Sequence, residues 1–65
     1  MKPDKVALLQ KLIQSSGMIG ATARWALDPD DENGPAYNAQ RAIDYAEECL
    51  ELAHEFKEAL TGATS

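Results

Sequence analysis

The chain has 65 residues, 45% of them apolar and 26% charged, which is one small domain at most, since domains usually run to about 100–150 residues. Eleven of the apolar residues are alanine and only 12 are Leu, Ile, Val or Phe, and folds below about 70–80 residues usually lean on a disulfide, a metal or a partner chain. The length excludes an enzyme with a deep cleft of its own, and a net charge of −5 disfavours a nucleic-acid backbone as partner.

The first predicted element is a helix from about Asp4 to Leu27. Pro3 or Asp4 suits its start, where proline is tolerated and a carboxylate caps free amides. Val6, Leu9, Ile13, Ser16, Gly20, Ala23 and Leu27 recur at alternating steps of three and four, the spacing of one helical face. Leu8, Leu12 and Ile19 widen that stripe. Its weak point is Ser15-Ser16-Gly17 with Gly20 a turn later, because each interior glycine costs about 1 kcal/mol relative to alanine. A break near Gly17, into segments of roughly 4–15 and 18–27, is the alternative to one continuous helix.

The stretch Asp28-Pro29-Asp30-Asp31-Glu32-Asn33-Gly34 reverses the chain. A second helix follows from about Pro35 to Leu60, with Ala39, Ile43, Ala46, Leu50, Ala53 and Leu60 as its seam, flanked by Ala42, Tyr45, Cys49, Leu52 and Phe56. Residues 61–65 read as a glycine stop and a flexible tail. The expected fold is therefore all-α: an antiparallel two-helix hairpin over 1–65. Folding at the loop sets Val6 beside Phe56, Leu9 beside Ala53, Ile13 beside Leu50 and Gly20 beside Ile43, so that large residues face small ones. The halves are oppositely charged, with four bases and one acid in residues 1–27 and ten acids and two bases in residues 28–65.

Two helices cannot cover both stripes. Leu8, Leu12, Ile19, Tyr45, Leu52 and Phe56 are expected to stay partly exposed, and contiguous apolar patches mark interfaces. Twofold dimerisation into a four-helix bundle is the simplest remedy. Gly17 and Gly20 join this expected interface as a small-residue strip that allows close approach. Trp25 joins it as an interface aromatic or, by the favoured reading, as a plug at the end of the bundle.

Asp44, Glu48, Glu51, Glu55 and Glu58 line the opposite side of the second helix. They read as a solvated face or, more sharply, as a dock for a basic partner surface. Glu51 and His54 have the Glu-x-x-His spacing of di-iron bundles, but the first helix offers no carboxylate between Lys5 and Leu27 and neither residue lies on the seam. Cys49 cannot form an intramolecular disulfide, and beside one histidine it makes no tetrahedral metal site. The loop acids Asp28, Asp30 and Glu32 alternate like calcium ligands, but Asn33 and Ala39 stand where that loop needs glycine and glutamate. No catalytic set, metal or cofactor is expected.

Ala42-Ile43-Asp44-Tyr45-Ala46-Glu47-Glu48-Cys49-Leu50-Glu51-Leu52-Ala53 resembles the second helix of a tetratricopeptide unit. The preceding segment lacks that repeat's Trp-x-x-Leu-Gly pattern and there is no second copy, so no family is assigned. No membrane span or signal-peptide core stands out, and the default expectation is a cytoplasmic protein. Its expected function is non-catalytic: a homodimeric regulator, adaptor or accessory subunit acting by protein–protein contact. The alternatives are a metal-binding, di-iron-like bundle assembled across a dimer and an acidic protein that binds a basic surface.

Overall fold

A computed structural model describes residues 4–62. Helix α1 spans Lys5–Leu27 and helix α2 spans Pro35–Thr61, and no strand occurs among the described residues. The Asp4 carboxylate accepts a hydrogen bond from the Val6 amide at 3.1 Å, which satisfies one of the free donors that open any helix. Helix α1 runs unbroken through Ser15, Gly17 and Gly20. The break considered near Gly17 does not occur, because two separated glycines lower helix propensity without removing a backbone donor.

Asp28 ends α1. Its backbone is extended (φ −81°, ψ 115°), as the residue before a proline tends to be. The loop is then built from two successive aspartate turns. The Asp28 carboxylate accepts from the Asp30 amide and the Asp31 carboxylate from the Asn33 amide, each at 2.9 Å. Gly34 follows at φ 84°, a left-handed conformation that glycine adopts without a Cβ penalty, and Pro35 opens α2. The Asn38 side chain donates back to the Gly34 carbonyl at 3.1 Å. Gly62 closes α2 in the left-handed region, its amide bonded to the Glu58 carbonyl. The tail expected over 61–65 is thus helical at Thr61, and residues 63–65 lie outside the described residues.

The helices meet along one seam, and it is not the expected one. On α1 the positions turned inward are Leu8, Leu12, Ser15, Ile19, Thr22 and Ala26. On α2 they are Asn38, Ala42, Tyr45, Cys49, Leu52, Phe56 and Ala59, and every one of them is buried or half-buried. Both sets step four-three without interruption, the repeat that keeps a seam facing its partner helix. The expected seam residues Val6, Leu9, Ile13, Gly20, Ile43, Leu50 and Leu60 are exposed instead, so the pairs Leu9–Ala53, Ile13–Leu50 and Gly20–Ile43 do not form within the chain. The reason lies in three polar residues. Thr22 donates its hydroxyl to the Met18 and Ile19 carbonyls at 2.7 and 3.1 Å, Asn38 is satisfied at Gly34, and no buried side-chain nitrogen or oxygen among the described residues lacks a partner. Burial of a polar group is cheap once it is hydrogen-bonded. Ser15, Thr22, Ala26 and Ala42 are also small, which lets the two backbones approach.

Candidate functional site

Successive residues turn about 100° round a helix. Counted from the seam in the chain direction, the stripe Val6, Leu9, Ile13, Gly20, Ala23 and Leu27 lies roughly 110° away on α1. On α2 the stripe Ala39, Ile43, Ala46, Leu50, Ala53 and Leu60 lies roughly 105° away in the same sense. Because the helices run antiparallel, equal senses of rotation bring both stripes to one side of the hairpin. The result is a single apolar face two helices wide, on which Ile13 and Leu50 are 62% and 61% exposed. Lys57 lies within it near the end of α2, and Lys5 and Arg24 lie at its two edges on α1; their long stems let the charged ends reach water.

Several residues expected at an interface occupy other places. Leu8 and Leu52 are the most deeply buried apolar side chains, at 3% and 8% exposure, and Leu12, Ile19, Tyr45 and Phe56 share their seam. Leu8 and Leu52 are thus closed inside the hairpin, whereas Leu12, Ile19, Tyr45 and Phe56 are half-buried and keep part of their surface exposed. Gly20 lies on the apolar face and Gly17 at its rim. A Cβ added at either glycine would meet nothing within 4 Å, so no packing inside the chain explains them. Trp25 remains 43% exposed and does not plug the end of the single hairpin.

The other side of α2 is polar. Asp44, Glu48, Glu51, Glu55 and Glu58 are all exposed, and Gln40 donates to the Asp44 carboxylate at 3.0 Å. Between this face and the seam, Arg41 is clasped by two aromatic residues one turn away on either side. Its guanidinium donates to the Tyr45 hydroxyl at 2.6 Å and lies 5.8 Å from the Tyr37 ring centre and 5.4 Å from that of Tyr45, within cation–π range. The hydrogen bond to Tyr45, with Tyr37 acting in the same sense, raises the Arg41 pKa above its ordinary value. Glu51 and His54 are exposed on α2. Among the described residues no three His, Cys, Asp or Glu side chains gather where they could hold a metal ion. Cys49 is a free thiol, half-buried in the seam.

Sequence reasoning passed over Thr22 and Asn38, which are the most completely buried of the described residues. The signal was the unbroken four-three spacing through them, which a search for apolar residues alone skips.

The described residues thus define a two-helix, all-α hairpin, none of whose helices is long and apolar enough to cross a membrane. A scan against protein-family models finds no match, and searches of curated proteins and of solved structures find none either.

Proposed function

We propose that this protein is a non-catalytic helical module acting by protein–protein contact, as a regulator, adaptor or accessory subunit, and that a second copy covers its apolar face to make a four-helix bundle. The observation that carries this reading is surface area. The chain exposes 4986 Å², whereas a compact monomer of its 7.1 kDa mass exposes about 4100 Å². The excess, roughly 900 Å², is close to the ~800 Å² that each partner contributes to an ordinary specific interface. Shape supports the same reading. The radius of gyration is 14.6 Å against about 11 Å for a compact chain of this length. Two hairpins stacked face to face restore a bundle of normal thickness.

The test is molar mass by light scattering over a dilution series, with circular dichroism on the same samples. A helical species of twice the chain mass is expected, falling to a less helical monomer at high dilution. A fully helical monomer at every concentration would overturn the proposal.

A second reading concerns the acidic side. Asp44, Glu48, Glu51, Glu55 and Glu58 lie away from the apolar face and stay accessible in such a dimer, where they suit a basic protein surface. That reading requires a complex that weakens steeply with salt.

A further inference from the structure

The side of the hairpin turned away from the apolar face has two unlike walls, and together they describe a partner. We infer that this side seats one basic amphipathic helix of a partner protein, laid along the furrow between α1 and α2. Its apolar stripe lies toward α1 and its Lys/Arg edge toward α2. This helix is a narrower form of the basic partner surface of the second reading above, and rests on that reading.

Counted from the seam against the chain direction, Ala7, Met18 and Trp25 lie roughly 80–100° round α1, and Tyr37, Glu48 and Glu55 roughly 70–90° round α2. They therefore share one side of the antiparallel pair. The α1 wall, formed by Ala7, Gln14, Met18, Ala21 and Trp25, carries no acid, and Lys11 is the charge beside it. Its end near the loop is aromatic. Trp25 and Tyr37, 43% and 49% exposed, stand about level across the furrow, because the loop 28–34 is centred on Asp31. Next to them Arg41 is held against Tyr37 and Tyr45. Trp, Tyr, Arg and Met are the residues enriched where interfaces gain their binding energy. Neither the seam nor a dimer through the apolar face covers Trp25 and Tyr37.

The α2 wall is acidic. Asp44, Glu48, Glu51 and Glu55 step four-three-four and outnumber Lys11 and Arg41, the bases on this side. Among the described residues nothing is bonded to the Glu48, Glu51 or Glu55 side chains. At 1.5 Å per residue the row advances roughly 5.5 Å per carboxylate. Basic residues at steps of three and four along a second helix keep that interval, whereas alternate residues of a strand advance roughly 6.7 Å and fall out of register. The spacing therefore suits the edge of a helix. Exposed ion pairs add little affinity but set orientation and on-rate. Affinity comes from apolar side chains of the partner on Trp25 and Met18, as when an amphipathic helix lies in a groove. A purely basic segment leaves Trp25 uncovered, and a purely apolar one leaves the carboxylates without partners.

Trp25 is the chain's one tryptophan, so native fluorescence reports this side and not the apolar face. The test titrates the full chain with an 18-residue Leu/Lys peptide whose leucines follow helical spacing, and with a peptide of the same composition scrambled to have no stripe. Calorimetry measures binding and Trp25 emission locates it. The striped peptide is expected to bind at least tenfold more tightly than the scrambled one and to shift Trp25 emission to the blue. Its binding should weaken steeply with salt and several-fold in Glu48→Gln/Glu51→Gln/Glu55→Gln protein. Equal binding of both peptides overturns the helix and leaves the basic-surface reading standing, whereas no binding of either removes both. Binding of the striped peptide with Trp25 unmoved, or undiminished in the triple variant, also overturns the inference. The molar mass of the chain alone, measured on the same preparation, decides the dimer separately.

Discussion

Leu52 and Thr22 are both buried, and substitution separates what each contributes. Leu52 fills a layer of the seam opposite Leu8, so Leu52→Ala removes apolar contact that the thin interface cannot recover by collapsing. Leu→Ala changes in cores cost about 2–5 kcal/mol, which is most of the stability a chain this short can have. Circular dichroism of the variant is expected to show a largely unfolded chain at room temperature. Thr22 is fully buried, but its hydroxyl bonds only to carbonyls of its own helix that already serve the helix ladder. Thr22→Val keeps the shape, removes donor and burden together, and is expected to change the melting free energy by less than about 1 kcal/mol. A loss as large as that of Leu52→Ala would mean that the hydroxyl holds more than its own backbone.

At the level of the element, the two interior glycines of α1 give opposite predictions from the same chemistry. Gly17→Ala and Gly20→Ala each raise helix propensity by about 1 kcal/mol, and neither new methyl group meets anything within its own chain. Gly17 stands at the rim of the apolar face and Gly20 on it. Gly17→Ala should therefore raise the melting temperature with little effect on association, while Gly20→Ala should raise helicity and weaken the proposed dimer several-fold. Paired melting and sedimentation measurements decide this.

These elements are also where sequence and structure can be compared. The helix spans, the loop and the end signals at Asp4 and Gly62 were legible, because caps, prolines and glycines act through neighbours a few residues away. The choice of seam was not. Helix α1 carries two stripes at helical spacing, one with Val6, Leu9 and Ile13 and one with Leu8, Leu12 and Ile19. Hydrophobicity ranks them nearly equal. What separates them is the local satisfaction of Thr22 and Asn38 and the small size of Ser15, Ala26 and Ala42, and these matter only when a second helix is already in place. Of the residues expected to stay partly exposed, Leu8 and Leu52 are closed in the seam for that reason, while Leu12, Ile19, Tyr45 and Phe56 are half-buried along it.

For the whole molecule, the separation of seam from outer face lets folding of the hairpin and the proposed association of hairpins be tested apart. Leu50 is exposed on the apolar face and Leu52, two residues on, is buried in the seam. Leu50→Glu is expected to abolish the dimer in sedimentation, since a buried unpaired carboxylate costs several kcal/mol, while the helices of the monomer remain detectable by circular dichroism. Loss of all helix in Leu50→Glu would show that the hairpin exists only as half of a bundle.

The short loop has a consequence for how the molecule opens. Beside it, Thr22 and Asn38 close a small ring of chain, while Leu8 and Leu52 at the far end close nearly the whole protein, and the entropy needed to hold such a ring shut grows with its length. With one seam and one connection, the hairpin resembles a pair of tweezers hinged at residues 28–34. Amide hydrogen exchange should accordingly slow progressively from the open end toward the hinge on both arms at once, slowest beside Thr22 and Asn38, and spring open at the tips long before it parts at the root.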